Sequence, residues 1–539
     1  MHISKNIDHL GIVAGVCNEI KVAEKIDSII GVDPRQKVTC GQAVVAMILN
    51  ALGFVDRPLY LFPEFLKNKP VELLISPTLV AEDFNDDMLG RTLDKLSAKG
   101  LEEIFIAVSS AAQMYVQGDR FFHSDTTSMS AHGEYEHDEG EEVPIRITHG
   151  YPKDHRMDLK QFVVSMVTCG GVPAFVQTLS GNTSDKDHFR ELFQAYGTML
   201  METWGKDRIW VWDSAFYTEP NLKVLPLEIL WITRVPETLL LAQDILWRSP
   251  QENMKATAIK GYALQSTMMT YAERLQRWIV VFSQQAYDRE KKTLKKNIKK
   301  EKEQIKTMMW HLSRQEFRCR EDGVSALHKL TKKWSYHRIQ DISFVEKQRK
   351  KNSGRGRPKT GDTRTVYYIA ATIEEDDEAV SRHQQSLGRF IVATNELDPG
   401  RLSDEDVLQA YKEQQQVEHG FRFLKDPLFF THAVFLKTER RIQAMVMIMG
   451  LALLVYAIAE KKLRKALEDI NETLPDQRNK PTKKPTMRRV FQIFEGVTIL
   501  YDECGRERLE VMNVGEVARK ILTLFGAEYE RMYGVANLG

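Results

Sequence analysis

Three acidic residues stand out by their neighbours. Asp125 closes the run RFFHS and opens DTTS, and Asp213 follows IWVW and opens DSAFY. Glu418 lies in YKEQQQVEHGFRFLKD, Tyr411 to Asp426, among polar, basic and aromatic residues, with Tyr411, Glu418 and Lys425 recurring every seven positions. Each has an ordinary reading taken alone: a strand-end aspartate caps turns, and a glutamate on a polar helix pairs with a nearby cation. Taken together they read differently. If the two strands are neighbours and a helix packs across that edge, three carboxylates meet, and they repel unless a cation is present. With no His or Cys pair beside them, an all-oxygen set favours Mg²⁺, or Mn²⁺ in its place. Two such ions about 3.5 to 4 Å apart activate a water or a 3′-hydroxyl and stabilise the departing oxygen of a phosphodiester. Metal-dependent phosphoryl transfer, with Asp125, Asp213 and Glu418 as catalytic metal ligands, is the expected chemistry.

The elements that must position these acids can be read from pattern. Ser403 with Asp406 three residues on predicts a capped helix from near Asp404 to about Lys425, stopped by Pro427. A seven-residue interval drifts by only about 20°, so Tyr411, Gln414, Glu418 and Lys425 are expected on one stripe. There Tyr411 and Lys425 suit phosphate contacts. RFFHSDTTSMS and DLKQFVVSMVTCGGVPAFVQTLSGNTSD predict a three-strand meander turned at Gly170 and Gly171, and Ser184 caps the next helix. RIWVWDSAFYT and LEILWITRVP supply a fourth and a fifth strand. The fold class expected from this order is α/β: a ribonuclease-H-like mixed five-stranded sheet with helices, interrupted by a large inserted domain and preceded by a helical N-terminal domain. The expected boundaries are 1–115 for the helical domain, a candidate for DNA end binding, and 116–236 and 388–465 for the two parts of the core. An insertion with strands and basic tracts occupies 237–387, and a basic linker with a small C-terminal element occupies 466–539.

Tyr411, Glu418 and Lys425 resemble the Y-x2-R-x3-E-x6-K signature of DDE transposases of bacterial insertion sequences, and Asp125 and Asp213 stand where that family has its aspartates. The long gap before Glu418 resembles the β-rich insertion of the same branch. The resemblance spans about Asp119 to Ala459. It implies recognition of transposon ends, metal-dependent hydrolysis at their 3′ ends and strand transfer into target DNA. It also implies double-stranded DNA partners, both terminal inverted repeats and target, and a homodimer or higher multimer on paired ends. One position departs: Gln414 stands where the family has Arg, able to hydrogen-bond a phosphate but without charge, and Arg422 is nearby to compensate. Some relatives stack a flipped base on an aromatic of the insertion; Trp278, Trp310, Trp334 and Tyr336 are the candidates here, each also suited to core packing.

Global charge says nothing about partners, with 75 Lys plus Arg against 74 Asp plus Glu. Local charge does. Arg355 and Arg357 in GRGRP resemble the core of an AT-hook lying in an A·T-rich minor groove. Lysines 291, 292, 295, 296, 299 and 300 recur at helical spacing, and Arg478, Lys480, Lys483, Lys484, Arg488 and Arg489 form a third cluster. His155, Arg156 and Lys160 form a polar loop between the first two strands. Five scattered cysteines without CxxC spacing read as reduced thiols, and the apolar run Ala444 to Ala459 is shorter than the ~20 residues of a membrane span. A cytoplasmic, nucleoid-associated protein without a membrane partner is expected. Two other readings share the three acids: a ribonuclease-H-like nuclease without strand transfer, and a DNA-binding protein derived from a transposase. A glycosidase needs paired carboxylates but not three basic clusters.

Overall fold

The computed structural model describes residues 2–53, 61–131, 133–135, 143–150, 156–350, 363–426, 438–502 and 508–535. They fall into two compact units, one of Met1–Thr233, Tyr271–Arg274 and Gln409–Gly539, the other of Arg234–Thr270 and Leu275–Leu408.

The first unit opens with helices α1 (Leu10–Glu19), α2 (Val22–Ile30), α3 (Cys40–Ala51), α4 (Asp86–Lys99) and α5 (Leu101–Ser109). Local signals set their ends. Thr39 and Gln42 form a reciprocal capping box on α3, and Asn85 accepts from the Met88 N–H at 2.9 Å to start α4. The pattern Val44, Val45, Ile48 and Leu52 predicts one apolar face on α3, yet the helix is buried on almost every side. It packs between α2 and the long helix Glu439–Asp469, so small residues such as Ala43 and Ala46 are covered as well.

His9, just before α1, donates from Nε2 to the Leu52 carbonyl at 2.7 Å and stacks on Phe491 with ring centroids 4.1 Å apart. Burial lowers its pKa from 6.5 to about 4. The unfolded chain therefore binds a proton below pH 6.5 that the fold refuses until about pH 4. Stability from this group is full above pH 6.5 and is lost as pH falls through that window, by about 3 kcal/mol in all. Urea unfolding at pH 7.5 and 4.5 tests this: His9→Gln, which keeps a donor but cannot titrate, should lose less stability between the two pH values than the parent.

The sheet of this unit has β1 (Phe121–Ala131), β2 (Lys160–Cys169) and β3 (Val172–Leu179) as an antiparallel meander. Gly170 and Gly171, with φ of +55° and +78°, form the two-residue turn between β2 and β3, where both central residues need the left-handed region. Helix α6 (Asp185–Leu192) starts after Ser184, whose hydroxyl makes no capping bond, and continues through a π-helical Phe193–Gly197 into Thr198–Trp204. The fully buried β4 (Ile209–Trp212) then runs parallel to β1, and after helix α7 (Glu219–Val224) β5 (Trp231–Val235) runs parallel to β4. The order β3-β2-β1-β4-β5 is the ribonuclease-H-like arrangement.

The second unit carries β6 (Tyr262–Tyr271), β7 (Arg274–Ser283), the 29-residue α8 (Gln284–Leu312), α9 (Arg320–Thr331), a long hairpin of β8 (His337–Lys350) and β9 (Thr363–Glu375), and β10 (Arg389–Thr394) antiparallel to β7. Residues 388–408 cluster here. Ile305, Met309, Leu312, Phe317, Leu327 and Ile369 form a core between α8, α9 and the hairpin. Trp278 is fully buried and Trp334 packs on that core, whereas Trp310 is half exposed with the Arg314 guanidinium 3.8 Å from its ring. Lysines 291, 292, 295, 296, 299 and 300 all face outward on α8. Arg355 and Arg357 lie outside the described residues.

Arg277 on β7 is almost wholly buried, donates to the Leu402 carbonyl and lies 3.5 Å from the Asp404 carboxylate. It therefore fixes where helix α10 (Asp404–Lys412) begins. Removing the partly exposed Asp404 leaves the buried Arg277 charge uncompensated, so Asp404→Ala should destabilise the protein by about 3 kcal/mol in urea unfolding. Arg277→Met, which removes the buried charge itself, should cost less. Two substitutions of equal and small effect would show that the pair is inert.

After α10 come α11 (Gln415–Leu424) and α12 (Glu439–Asp469), and the chain returns to the first unit. By length and composition α12 passes the test for a membrane span, but 83% of its apolar window is buried inside the protein, as suits a core helix. Thr498–Tyr501 pairs with Ile3–Asn6 and Arg508–Met512 in a small separate sheet.

Candidate active site

The two aspartates are placed by strand register. β1 and β4 pair as Phe121↔Ile209, Phe122↔Trp210 and His123↔Val211, and the same offset two residues further on sets Asp125 beside Asp213. Asp213 is the first residue past β4, so the two acids come at one level of neighbouring parallel strands whose axes are about 4.8 Å apart. The run ending at Asp125 suggests that the strand ends there. Instead β1 continues to Ala131, because β2 keeps pairing with it from Thr126↔Ser165 to Ala131↔Lys160. What stops at this level is the parallel neighbour, since β4 ends at Trp212. Asp213 Oδ1 then accepts from the Ala215 N–H at 2.9 Å, and Thr233 Oγ1 donates to the Asp213 carbonyl at 2.7 Å. Asp125 Oδ1 accepts from the Thr126 N–H at 2.7 Å, and both aspartates are half-buried.

α11 covers the face of Asp125. Asp125 pairs across the ladder with Met166, whose side chain shares its face, and Gly420 of α11 lies directly on Met166. A Cβ on Gly420 would meet Met166 Sδ at 3.0 Å and Leu453 Cδ2 at 3.2 Å, so this glycine permits the close crossing.

The predicted single helix is broken. The Ser403–Asp406 capping box forms, with Ser403 N–H to Asp406 Oδ2 and Asp406 N–H to Ser403 Oγ both at 3.1 Å. α10 nevertheless ends at Lys412, and α11 starts at Gln415. Between them the backbone bonds tighten to the i to i−3 pattern: Gln414 N–H to Tyr411 O, Gln416 N–H to Glu413 O and Val417 N–H to Gln414 O. Tyr411 is thus on one helix and Glu418, Arg422 and Lys425 are on or just past the next, so the stripe is not continuous. Glu418 is exposed and pairs with Arg422 at 3.8 Å; Lys425, the C-cap, is exposed and Tyr411 is half-buried. Among the described residues, no group of three His, Cys, Asp or Glu side chains is assembled as a metal cage. The structure sets Asp125 beside the strand that leads into Asp213 and lays α11 over β1 and β2, with the Glu418 carboxylate turned to Arg422.

Two residues at the break were not singled out as a pair by pattern. His123 sits two before Asp125, hence on its face, and is 1% exposed. Its Nε2 donates to the Ala410 carbonyl at 2.8 Å, and burial holds its pKa below the usual value, keeping the ring neutral. Gln414 spends its amide on protein: Nε2 donates to the Ser124 carbonyl at 2.8 Å, and Oε1 is buried. That is a different use from the phosphate contact expected of it. A histidine at i−2 from a strand acid was the available signal. In the polar loop, Arg156 pairs with Asp158, Lys160 donates to backbone carbonyls of Glu134 and Tyr135, and His155 lies outside the described residues.

Residues 117–455 match the family described as the transposase DDE domain, and residues 2–110 match a domain of unknown function, DUF4277. The chain belongs to the transposase DDE domain family. No curated protein matches it. Among solved structures, the cryo-EM structure of a piggyBac transposase synaptic complex with hairpin DNA aligns at 10% identity over 90% of this chain and 78% of that chain, with a TM-score of 0.36. The span matched by the transposase domain runs from just before β1 into α12, and so contains Asp125, Asp213 and Glu418.

The donor set of this transposase chain fits a hard divalent cation. Asp125 and Asp213 offer only oxygen at one level of neighbouring strands, and like charges so placed are unfavourable without a counter-ion. An open groove of 1180 Å³ runs along α11 and α12, lined in part by His419, Arg422, Lys461, Lys465 and Arg488. Most of its cations are already matched: Lys461 with Asp119, Lys462 with Glu19, Arg464 with Glu460 and Arg488 with Asp426.

Proposed function

We propose that this protein is a DNA transposase of the bacterial insertion-sequence type, which cleaves DNA at transposon ends and joins the 3′ ends to target DNA. The observation that supports the reading is the parallel register of β1 and β4, which leads into Asp125 and Asp213, with the helix of Glu418 packed on β1, in a chain of the transposase DDE domain family. Asp125, Asp213 and Glu418 are the residues that would hold Mg²⁺ or Mn²⁺, and such an ion would supply charge stabilisation to the attacking and leaving oxygens. Asp125 and Asp213 are fixed by the sheet and need not move. Glu418 must leave Arg422, and for an exposed pair at 3.8 Å that costs no more than about 1 kcal/mol. The freed Arg422, with Lys425 and Tyr411, then holds DNA phosphates beside the site. The partners are transposon-end and target duplexes, bound by a dimer or higher multimer, with Arg355 and Arg357 as the residues that would read an A·T-rich minor groove. The lysine face of α8 supplies further phosphate contacts.

The test incubates the purified protein with labelled transposon-end DNA, Mg²⁺ and a target plasmid. Cleaved 3′ ends joined to the plasmid support the proposal. Cleavage without joining would favour a nuclease, and binding without cleavage a lapsed, DNA-binding derivative.

A further inference from the structure

The break between α10 and α11 carries an assignment of its own. In an unbroken helix the Gln414 N–H would bond the Ala410 carbonyl, four residues back. Here it bonds Tyr411 instead, which releases the Ala410 carbonyl, and His123 Nε2 takes it at 2.8 Å. A sharp change of this kind needs a cause, and a side chain inserted into the ladder is one. The same turn sends Gln414 Nε2 back to the Ser124 carbonyl at 2.8 Å. The two bonds cross: a strand side chain holds a helix carbonyl, and a helix side chain holds a strand carbonyl. They lie at residues 123 and 124, next to Asp125, and at 410 and 414, about two turns and one turn before Glu418. The segments joined are 287 and 290 residues apart in sequence, with the whole second unit between them.

We propose that His123 and Gln414 form a two-bond latch that sets the position of Glu418 relative to Asp125, making both of them positioning residues. This rests on the reading of Asp125, Asp213 and Glu418 as the metal-binding acids. It also accounts for the amide at 414: a neutral donor on a half-buried side chain satisfies a backbone carbonyl without placing a cation there. Gly420 completes the placement by fixing how closely α11 lies on Met166, the ladder partner of Asp125.

His123→Leu and Gln414→Met each remove one donor with little change of volume and add no charge, and His123→Gln restores an amide donor. Three measurements are made on the full-length protein: single-turnover cleavage of end DNA at saturating DNA, Mn²⁺ affinity of the DNA-free protein by calorimetry, and hydrogen exchange of the amides at 413–418. A displacement of about 1 Å costs about 100-fold in rate, so losses of that order are expected in both variants, with end binding in Ca²⁺ unchanged within about 2-fold. Mn²⁺ affinity falls and exchange at 413–418 accelerates in both. The double variant should be no worse than the poorer single, since either change opens the same joint, and His123→Gln should recover most of the rate. Multiplicative losses in the double variant, or unchanged exchange and Mn²⁺ affinity in both singles, overturn the latch. Exchange is read without catalysis, so a parent protein that fails to cleave DNA refutes the proposed function and still leaves the latch decided.

Discussion

Asp125→Asn, Asp213→Asn and Glu418→Gln should each lower DNA cleavage by about 1000-fold or more while end binding in Ca²⁺ stays within a few-fold of the parent. Each substitution keeps size and shape and removes one negative oxygen, so under the proposed function the expected loss is the hold on a divalent cation and the transition-state stabilisation it would supply. A second readout has the opposite sign. The register of β1 and β4, carried two residues on, brings Asp125 level with Asp213, and like charges so placed repel. In EDTA, Asp125→Asn and Asp213→Asn should therefore raise the melting temperature slightly, whereas Glu418→Gln should not, because Glu418 is exposed and turned to Arg422. Adding Mg²⁺ should raise the melting temperature of the parent and much less that of the two aspartate variants, since only a state that binds the ion is stabilised by it. Full cleavage activity in any of the three variants would remove that residue from the site. A parent with no Mg²⁺-dependent shift and no loss on substitution would remove the metal reading altogether.

What the sequence conveyed about this site was what short-range chemistry encodes. The Gly170–Gly171 turn, the Asn85 cap and the Ser403–Asp406 box each depend on a few adjacent residues, and each forms. The order of five strands followed from runs bounded by such signals. Long-range partners decided the rest. β1 outruns its apolar run because β2 pairs with its polar half, where Ser128 and Thr127 are buried at the ladder. α3 loses its polar face because helices cover both sides of it. The helix expected over Asp404 to Lys425 has nothing in its own residues to break it: no Pro, no Gly before Gly420. Its break is stabilised by His123 and Ser124, residues on a strand far away in the chain. Gln414, which stood out as a departure from a phosphate-binding arginine, has its explanation in that strand.

Neutralising the lysine face of α8 should have the second largest effect, on affinity and not on chemistry. Replacing Lys291, Lys292, Lys295, Lys296, Lys299 and Lys300 with Gln should weaken DNA binding about 100-fold near physiological salt and reduce the slope of log affinity against log salt by about 2 to 5. The helix is 29 residues long, about 43 Å, and buries Leu294, Ile305, Met309 and Leu312 while all six lysines face solvent. Its acids do not offset them fully. Glu301 accepts from the backbone of Ser335 and Tyr336 and from His337, Glu290 accepts from the Gly388 N–H, and Glu303 pairs with Lys306. The charge is therefore available to phosphates, each of which releases condensed counter-ions when a lysine replaces them. The groove beside α11 makes the contrast. Lys461 and Lys462 there are paired with Asp119 and Glu19, so replacing those two should leave the salt slope nearly unchanged. Because the α8 lysines are exposed, their loss should not lower the melting temperature, and single-turnover cleavage at saturating DNA should stay near that of the parent. An unchanged slope in the six-fold variant would leave α8 as a solvated helix and move the DNA path elsewhere; a fall in slope on replacing Lys461 and Lys462 instead would place it along the groove.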